Sequence, residues 1–323
     1  MPRVLLIATG DTIAYRLRST RPAVASGAQL LAAAGIGATV ADVSVEDVMA
    51  EPSWDTSPAT MLTLARRVHT AVLDDGFDAV VVTHGIDTLE ETAFLTDLMA
   101  GPAARASIVF TGALRALDDP RSDGPDNLSA ALAAAVDPGS RGLGALVCFD
   151  RELHAARWAT LADTTGSPAY SSAPYPRLGY VAPGGEISRT APAPPRPPDL
   201  DGTPETDVAL IKTYPGMTAE MLTTTVDAGA RGIVLEGTGF GNVPVELFTA
   251  ISELTSWDIP VVVASRARTR PAAVGKPFDG TAMATTVGAI SSGGLPPAHA
   301  RIALMAALAG GGVAAARQWF EQL

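Results

Sequence analysis

The sequence predicts a two-domain α/β protein: a larger amino-terminal doubly wound domain on a mainly parallel sheet, then a smaller carboxyl-terminal α/β domain. Three observations predict it. Four short β-branched runs, Val4–Ala8, Ala79–Thr83, Ile108–Thr111 and Ala145–Phe149, alternate with stretches of helical spacing, as parallel βαβ units do. Between Ala191 and Pro204 the chain reads Ala-Pro-Ala-Pro-Pro-Arg-Pro-Pro-Asp-Leu-Asp-Gly-Thr-Pro, which neither a helix interior nor a central strand accepts. The length of 323 residues exceeds what one hydrophobic core usually serves.

Val4–Ala8 is shorter than the roughly 7–15 apolar residues of a secretory leader, and Gly10 and Asp11 follow at once, so it reads as a first buried strand. Ser57-Pro58 supplies an N-cap and a first helical position, with Met61, Leu64, Ala65, Val68 and Val72 at helical spacing behind it. A second helix is expected from Asp87-Thr88, carrying Leu89, Ala93, Leu95 and Leu98. Residues 1–190 thus form the first domain, 191–207 the linker and 208–323 the second domain. There, strand-like runs at Val208–Ile211, Gly232–Leu235 and Val261–Ala264 alternate with helical stretches near Ala219–Ala228 and Pro244–Ser256. Helical patterns over Ala298–Ala309 and Val313–Gln322 close the chain.

A formal charge of −11, with no basic cluster interleaved with aromatics, argues against a nucleic-acid partner. No stretch reaches the roughly 18–20 unbroken apolar residues of a membrane span, so no membrane partner is expected. Cys148 stands alone, which excludes an internal disulfide and a cysteine-rich metal site and fits a cytoplasmic address. His69, His84, His154 and His299 lack metal-ligand spacing, so no metal is expected. Lys212 and Lys276 are the only lysines, both beyond the linker.

In open parallel sheets, ligands bind beyond the carboxyl ends of the strands. The polar residues there are Thr9-Gly10-Asp11-Thr12, Thr83-His84-Gly85-Ile86-Asp87-Thr88 and Thr111-Gly112. Thr12 is a candidate nucleophile, a hydroxyl exposed after a glycine turn, although a turn cap is the alternative. Asp87 stands where a helix begins and serves either as its cap or as a substrate contact. His84 is expected to order its turn rather than transfer protons.

Together these segments resemble the bacterial L-asparaginase family. Its signature T-G-G-T-I-A is similar to Thr9-Gly10-Asp11-Thr12-Ile13-Ala14, and T-H-G-T-D-T-L-E-E-T-A to Thr83-His84-Gly85-Ile86-Asp87-Thr88-Leu89-Glu90-Glu91-Thr92-Ala93. Further matches are Gly112-Ala113-Leu114-Arg115, the segment from Ser122 to Leu128, Lys212-Thr213-Tyr214-Pro215-Gly216-Met217 and the segment from Gly232 to Asn242. The resemblance implies the two-domain asparaginase-like fold, a homodimer or homotetramer, and no metal or organic cofactor. The branch of the family that serves tRNA-dependent amidation carries an extra amino-terminal domain and is disfavoured here.

Carried over by position, the resemblance makes Thr12 the nucleophile and Asp87 the triad carboxylate, but Ile86 replaces the second triad Thr. Keeping Arg157 and Thr160 in register puts Leu161 in place of the triad Lys. General acid–base help is worth about 10²–10⁴ in rate, so the hydroxyl needs another base. The family's substrate-holding G-S-x-D segment corresponds to Pro52-Ser53-Trp54-Asp55, where Ser53 can still give a hydrogen bond and Trp54 adds an apolar face. Asp11 replaces a glycine, and the segment Tyr15 to Ser26 is short, with its only Tyr at the first position.

The reading is therefore an asparaginase-like amidohydrolase for a non-standard asparagine-like, peptidyl or biosynthetic-intermediate amide. Thr12 attacks, with Asp11, Tyr15 or a substrate group replacing the lost base. Ser53, Trp54, Asp55, Gly85, Ile86 and Asp87 hold the substrate, and backbone N–H groups near Thr12 and Gly85-Ile86 hold the oxyanion. The alternatives are a slow conventional L-asparaginase and a non-catalytic homologue that binds an amino-acid-like ligand.

Overall fold

The computed structural model describes residues 1–18, 22–35, 41–48, 51–100, 105–198, 200, 202–267 and 280–323, the last segment without the side chains of residues 280–282. Lys276 lies outside the described residues, as do residues 19–21 of the segment after Tyr15. The chain divides into two compact units, Met1–Ser172 with Pro176–Arg196, and Ala173–Tyr175 with Pro197–Leu323.

The first unit is built on an eight-stranded sheet of β1 (Arg3–Ala8), β2 (Asp42–Asp47), β3 (Ala79–Thr83), β4 (Ser107–Thr111), β5 (Ala145–Phe149), β6 (Glu152–Ala155), β7 (Gly179–Val181) and β8 (Ile187–Arg189). Their order is β8-β7-β6-β5-β4-β3-β1-β2. The strands from β2 to β5 pair in parallel, with Val4 opposite both Val43 and Ala79. The sheet ends in antiparallel pairings from β5 through β8.

Side-chain alternation along β1 shows why the sheet is covered on both faces. Val4 and Leu6 join a core with Leu30 of α1 (Gly27–Ala33) and Leu128 of α4 (Gly124–Val136). Leu5 and Ile7 join the opposite core with Leu64 and Val68 of α2 (Pro58–Leu73) and Leu89 and Ala93 of α3 (Leu89–Ala100). Full burial of each such aliphatic side chain stabilises the fold by about 1.5–3 kcal/mol. α2 begins as its sequence predicts: Ser57 Oγ accepts the Thr60 N–H at 3.1 Å and Pro58 opens the first turn.

Four strands of this sheet carry no strong apolar run. β2, Asp-Val-Ser-Val-Glu-Asp, is an edge strand that buries no residue fully and only Val43, Val45 and Glu46 in part, so its pattern is too polar to resemble its neighbours. The β5–β6 hairpin turns on Asp150 and Arg151, both at positive φ (50° and 64°), where Gly or Asn is the usual signal. Asp150 is held there by accepting the Ala169 N–H at 2.8 Å and donating its own N–H to Asn127 Oδ1 at 3.0 Å. The remaining two strands, β7 and β8, are three residues each.

In the second unit β9 (Val208–Lys212), β10 (Gly232–Gly237), β11 (Val261–Ser265) and β12 (Ile290–Ser291) pair in parallel in that order. Leu222, Ile233, Leu235, Ile251, Leu254 and Val263 fill one of its cores. The helical stretch expected from Pro244 divides into a short 3-10 turn, Val245–Leu247, and the α-helix Phe248–Ser256. Lys212 is exposed and paired with Glu236 at 3.2 Å.

Within the parallel strands the order β2-β1-β3-β4-β5 places the reversal of connection direction between β1 and β3. That is the switch point at which doubly wound sheets open a crevice beyond the strand ends.

Candidate active site

The loops after β1 and β3, and the turn that follows β2, meet at this switch point. Thr9 Oγ1 donates to the Thr83 carbonyl at 2.8 Å and ties the ends of β1 and β3 together. A 3-10 turn, Thr12–Ala14, follows, with Asp11 as its N-cap. One Asp11 oxygen, Oδ1, accepts the Thr12 N–H at 2.6 Å and the Thr12 hydroxyl at 3.1 Å; the other, Oδ2, accepts the Ser53 N–H at 2.6 Å. Ser53 then passes the network on: its Oγ donates to Asp87 Oδ2 at 2.9 Å, and the Thr88 hydroxyl donates to its carbonyl at 2.9 Å. Thr12 and Asp87 are thus joined through Asp11 and Ser53.

Asp11 sits at φ 64°, ψ −165°, a backbone region that is nearly the preserve of glycine and costs of order 1–3 kcal/mol for other residues. Its carboxylate is buried against Gly85, where a Cβ would fall 1.9 Å from Asp11 Oδ2 and 2.2 Å from Ser53 Oγ. Gly85 is therefore needed for space, and the three charge-assisted hydrogen bonds offset the strain at Asp11.

Ile86 and Leu161 pack against one cluster with Phe149, Ala156, Ala159 and Tyr170. The Tyr170 hydroxyl donates to the Ile86 carbonyl at 2.9 Å, and the Leu161 N–H donates to Glu90 Oε2 at 2.5 Å. Burial first, then the nearby Glu90 and Asp87 charges, push the Tyr170 phenol well above its ordinary value, so it stays protonated. Nothing in the sequence pattern singled out Tyr170. Glu90 lies within the second family-like motif and in the first turn of α3, with no site role assigned to it from sequence.

The remaining site residues fall in different places. Tyr15 is half-buried on a two-residue strand, and burial followed by the Asp11 charge raises its phenol. That favours a proton donor over a base. The Thr12 N–H, expected among the oxyanion donors, is already engaged by Asp11. The Gly85 carbonyl is turned to His84 Nδ1 at 2.8 Å and the Ile86 carbonyl to Tyr170. Trp54 is 66% exposed in this chain, and Asp55 is exposed beside it on the 3-10 turn Ser53–Asp55. His84 is buried, and desolvation lowers its imidazole below the ordinary value, which keeps it neutral. Burial pushes the Cys148 thiol up to about 12, so it is no nucleophile at neutral pH.

The segment around Asp123 is scaffold. Its carboxylate accepts the Leu114 and Arg115 N–H groups at 2.9 Å each, and Asn127 Nδ2 donates to the Gly112 carbonyl at 3.0 Å. Among the described residues no group of three or more His, Cys, Asp and Glu side chains could hold a metal ion.

Fold and crevice define a doubly wound α/β protein with a hydroxyl and a buried carboxylate in contact at its switch point. Residues 3–193 match the family model described as Asparaginase, N-terminal, and residues 207–320 match the Glutaminase/Asparaginase C-terminal domain. A probable L-asparaginase of Deinococcus radiodurans is 35% identical over 84% of this chain and 81% of its own length. An L-asparaginase 2 of Escherichia coli is 30% identical over 95% of this chain and 89% of its own. The crystal structure of a probable cytoplasmic L-asparaginase from Campylobacter jejuni superposes with a TM-score of 0.84 at 26% identity, covering 100% of both chains. The chain belongs to the asparaginase family and is an asparaginase-like amidohydrolase. Among the described residues no helix is long and apolar enough to cross a membrane.

Proposed function

We propose that the chain hydrolyses an asparagine-like amide other than ordinary free asparagine, such as a peptidyl or biosynthetic-intermediate amide, with a rewired proton-transfer system. One observation carries the reading: the Thr12 hydroxyl meets the Asp11 carboxylate at 3.1 Å, whereas Ile86 and Leu161 offer only hydrocarbon. Thr12 Oγ attacks the amide carbon and its proton passes to Asp11. Asp11 returns that proton to the departing nitrogen, ammonia leaves, and water then cleaves the acyl-enzyme ester to give the carboxylic acid and free Thr12. Asp11 is favoured over Tyr15 as base because it touches the hydroxyl and because Tyr15 resists ionisation. The N–H groups of Gly85 and Ile86, whose carbonyls are engaged elsewhere, serve the oxyanion. Ser53 and Asp87 hold the polar end of the substrate, with Trp54 and Asp55 at the rim. This reading has the protein act in the cytoplasm as a homodimer or homotetramer, without metal or organic cofactor.

Ammonia release from asparagine, glutamine, N-acetylated asparagine and asparaginyl peptides tests it. At least one derivative should outpace free asparagine, and Thr12→Val should lower that rate by about 10⁴-fold or more. Faster turnover of free asparagine would identify a conventional asparaginase instead. Turnover of no amide, or turnover indifferent to Thr12→Val, would remove Thr12 from the mechanism.

A further inference from the structure

We propose that Asp11 selects the charge of the substrate: the crevice takes an amide that carries a free amine and a blocked neighbouring carboxyl, and it turns away a free carboxylate. This deepens the reading above and rests on it for the reaction, though not for the charge preference itself.

Two backbone N–H groups, of Thr12 and Ser53, converge beside the nucleophile, and the Asp11 carboxylate already fills both at 2.6 Å. A substrate carboxylate would have to displace it. Displacement is opposed by geometry: Asp11 is only 1% exposed and its carboxylate is packed against Gly85, on a backbone conformation that persists only where surrounding contacts over-determine it. A second carboxylate, Asp87, stands one hydrogen bond further along, on Ser53 Oγ. Among the described residues neither carboxylate forms an ion pair, and no lysine exists in the first unit to provide one. Two carboxylates in one crevice, with no ion pair to either among the described residues, attract an ammonium and repel a carboxylate, which is selection by a built-in repulsive element as much as by attraction. Asparagine offers both groups. Its α-N-methylamide offers the ammonium alone, and N-acetylasparagine the carboxylate alone.

The experiment compares kcat/KM for ammonia release from these three amides in the wild type, Asp11→Asn and Asp11→Gly. In parallel, calorimetry measures binding of two probes that cannot be hydrolysed to ammonia by this route, alanine N-methylamide and N-acetylalanine. Glycine suits the backbone at this position, and circular dichroism checks that both variants fold. The wild type should favour asparagine α-N-methylamide over N-acetylasparagine by about a hundredfold, with asparagine between them, and both variants should reduce that preference to below about tenfold. The alanine probes should follow the same order. Thr12-dependent hydrolysis that treats the amides alike, or a preference the Asp11 variants leave unchanged, overturns charge selection while the hydrolase reading stands. Absence of all hydrolysis with the predicted probe preference overturns the hydrolase reading and supports charge selection. Absence of both overturns both.

Discussion

The site as the family resemblance assembles it has two walls, made in opposite ways. On one side Asp11, Ser53 and Asp87 form an unbroken line of hydrogen bonds that begins at the Thr12 hydroxyl. On the other, Ile86 and Leu161 merge into the core around Phe149 and Tyr170, and the polar contacts that remain there bind backbone rather than the crevice. The resemblance to asparaginases places a hydroxyl and an ammonium where Ile86 and Leu161 stand. On the function proposed above, the polarity lost at one wall is accompanied by a new carboxylate at the other, Asp11, which touches the proposed nucleophile.

That contrast can be broken from either wall. The largest structural effect is expected at Gly85. In Gly85→Ala the new methyl meets Asp11 Oδ2 and Ser53 Oγ, so urea unfolding should show a loss of about 2–4 kcal/mol, accompanied by loss of amide hydrolysis. On the apolar wall, Tyr170→Phe removes the donor to the Ile86 carbonyl and should cost about 1–3 kcal/mol in the same assay, with a smaller effect on turnover.

The smallest effect concerns pH. His84 is held neutral by burial, so its folded value lies below the ordinary 6.5 of the unfolded chain. Its contribution to stability is therefore complete above that value and is lost as the pH falls below it, because only the unfolded chain takes up the proton readily. As the pH falls below 6.5 the stability advantage of wild type over His84→Asn should shrink, as read from urea midpoints at each pH.

Much of this architecture is legible in the sequence because burial on both faces makes the central strands continuous apolar runs, as at Ala79–Thr83 and Ala145–Phe149. β2 and the antiparallel extension are not legible in that way: one is a half-exposed edge, and the other turns on Asp150 and Arg151 without glycine. Within the site, Thr12, Ser53 and Asp87 stand out from their motifs, and their joining is geometric. Asp11 was visible as a departure from a glycine, but its role depends on a backbone angle and on the space left by Gly85, neither of which a residue type encodes alone. Tyr170 comes from a distant segment and meets the Ile86 carbonyl only through the fold.

The most direct test of the account is the rate of Asp11→Asn on the best amide substrate. Asparagine at this position keeps the size of the side chain and one of its two accepting oxygens but cannot accept the Thr12 proton. The account predicts that kcat falls by about 10²–10⁴-fold with the fold intact by circular dichroism. A fall of less than about threefold would show that the carboxylate beside Thr12 is not the base, and would contradict the transfer of proton chemistry from one wall to the other.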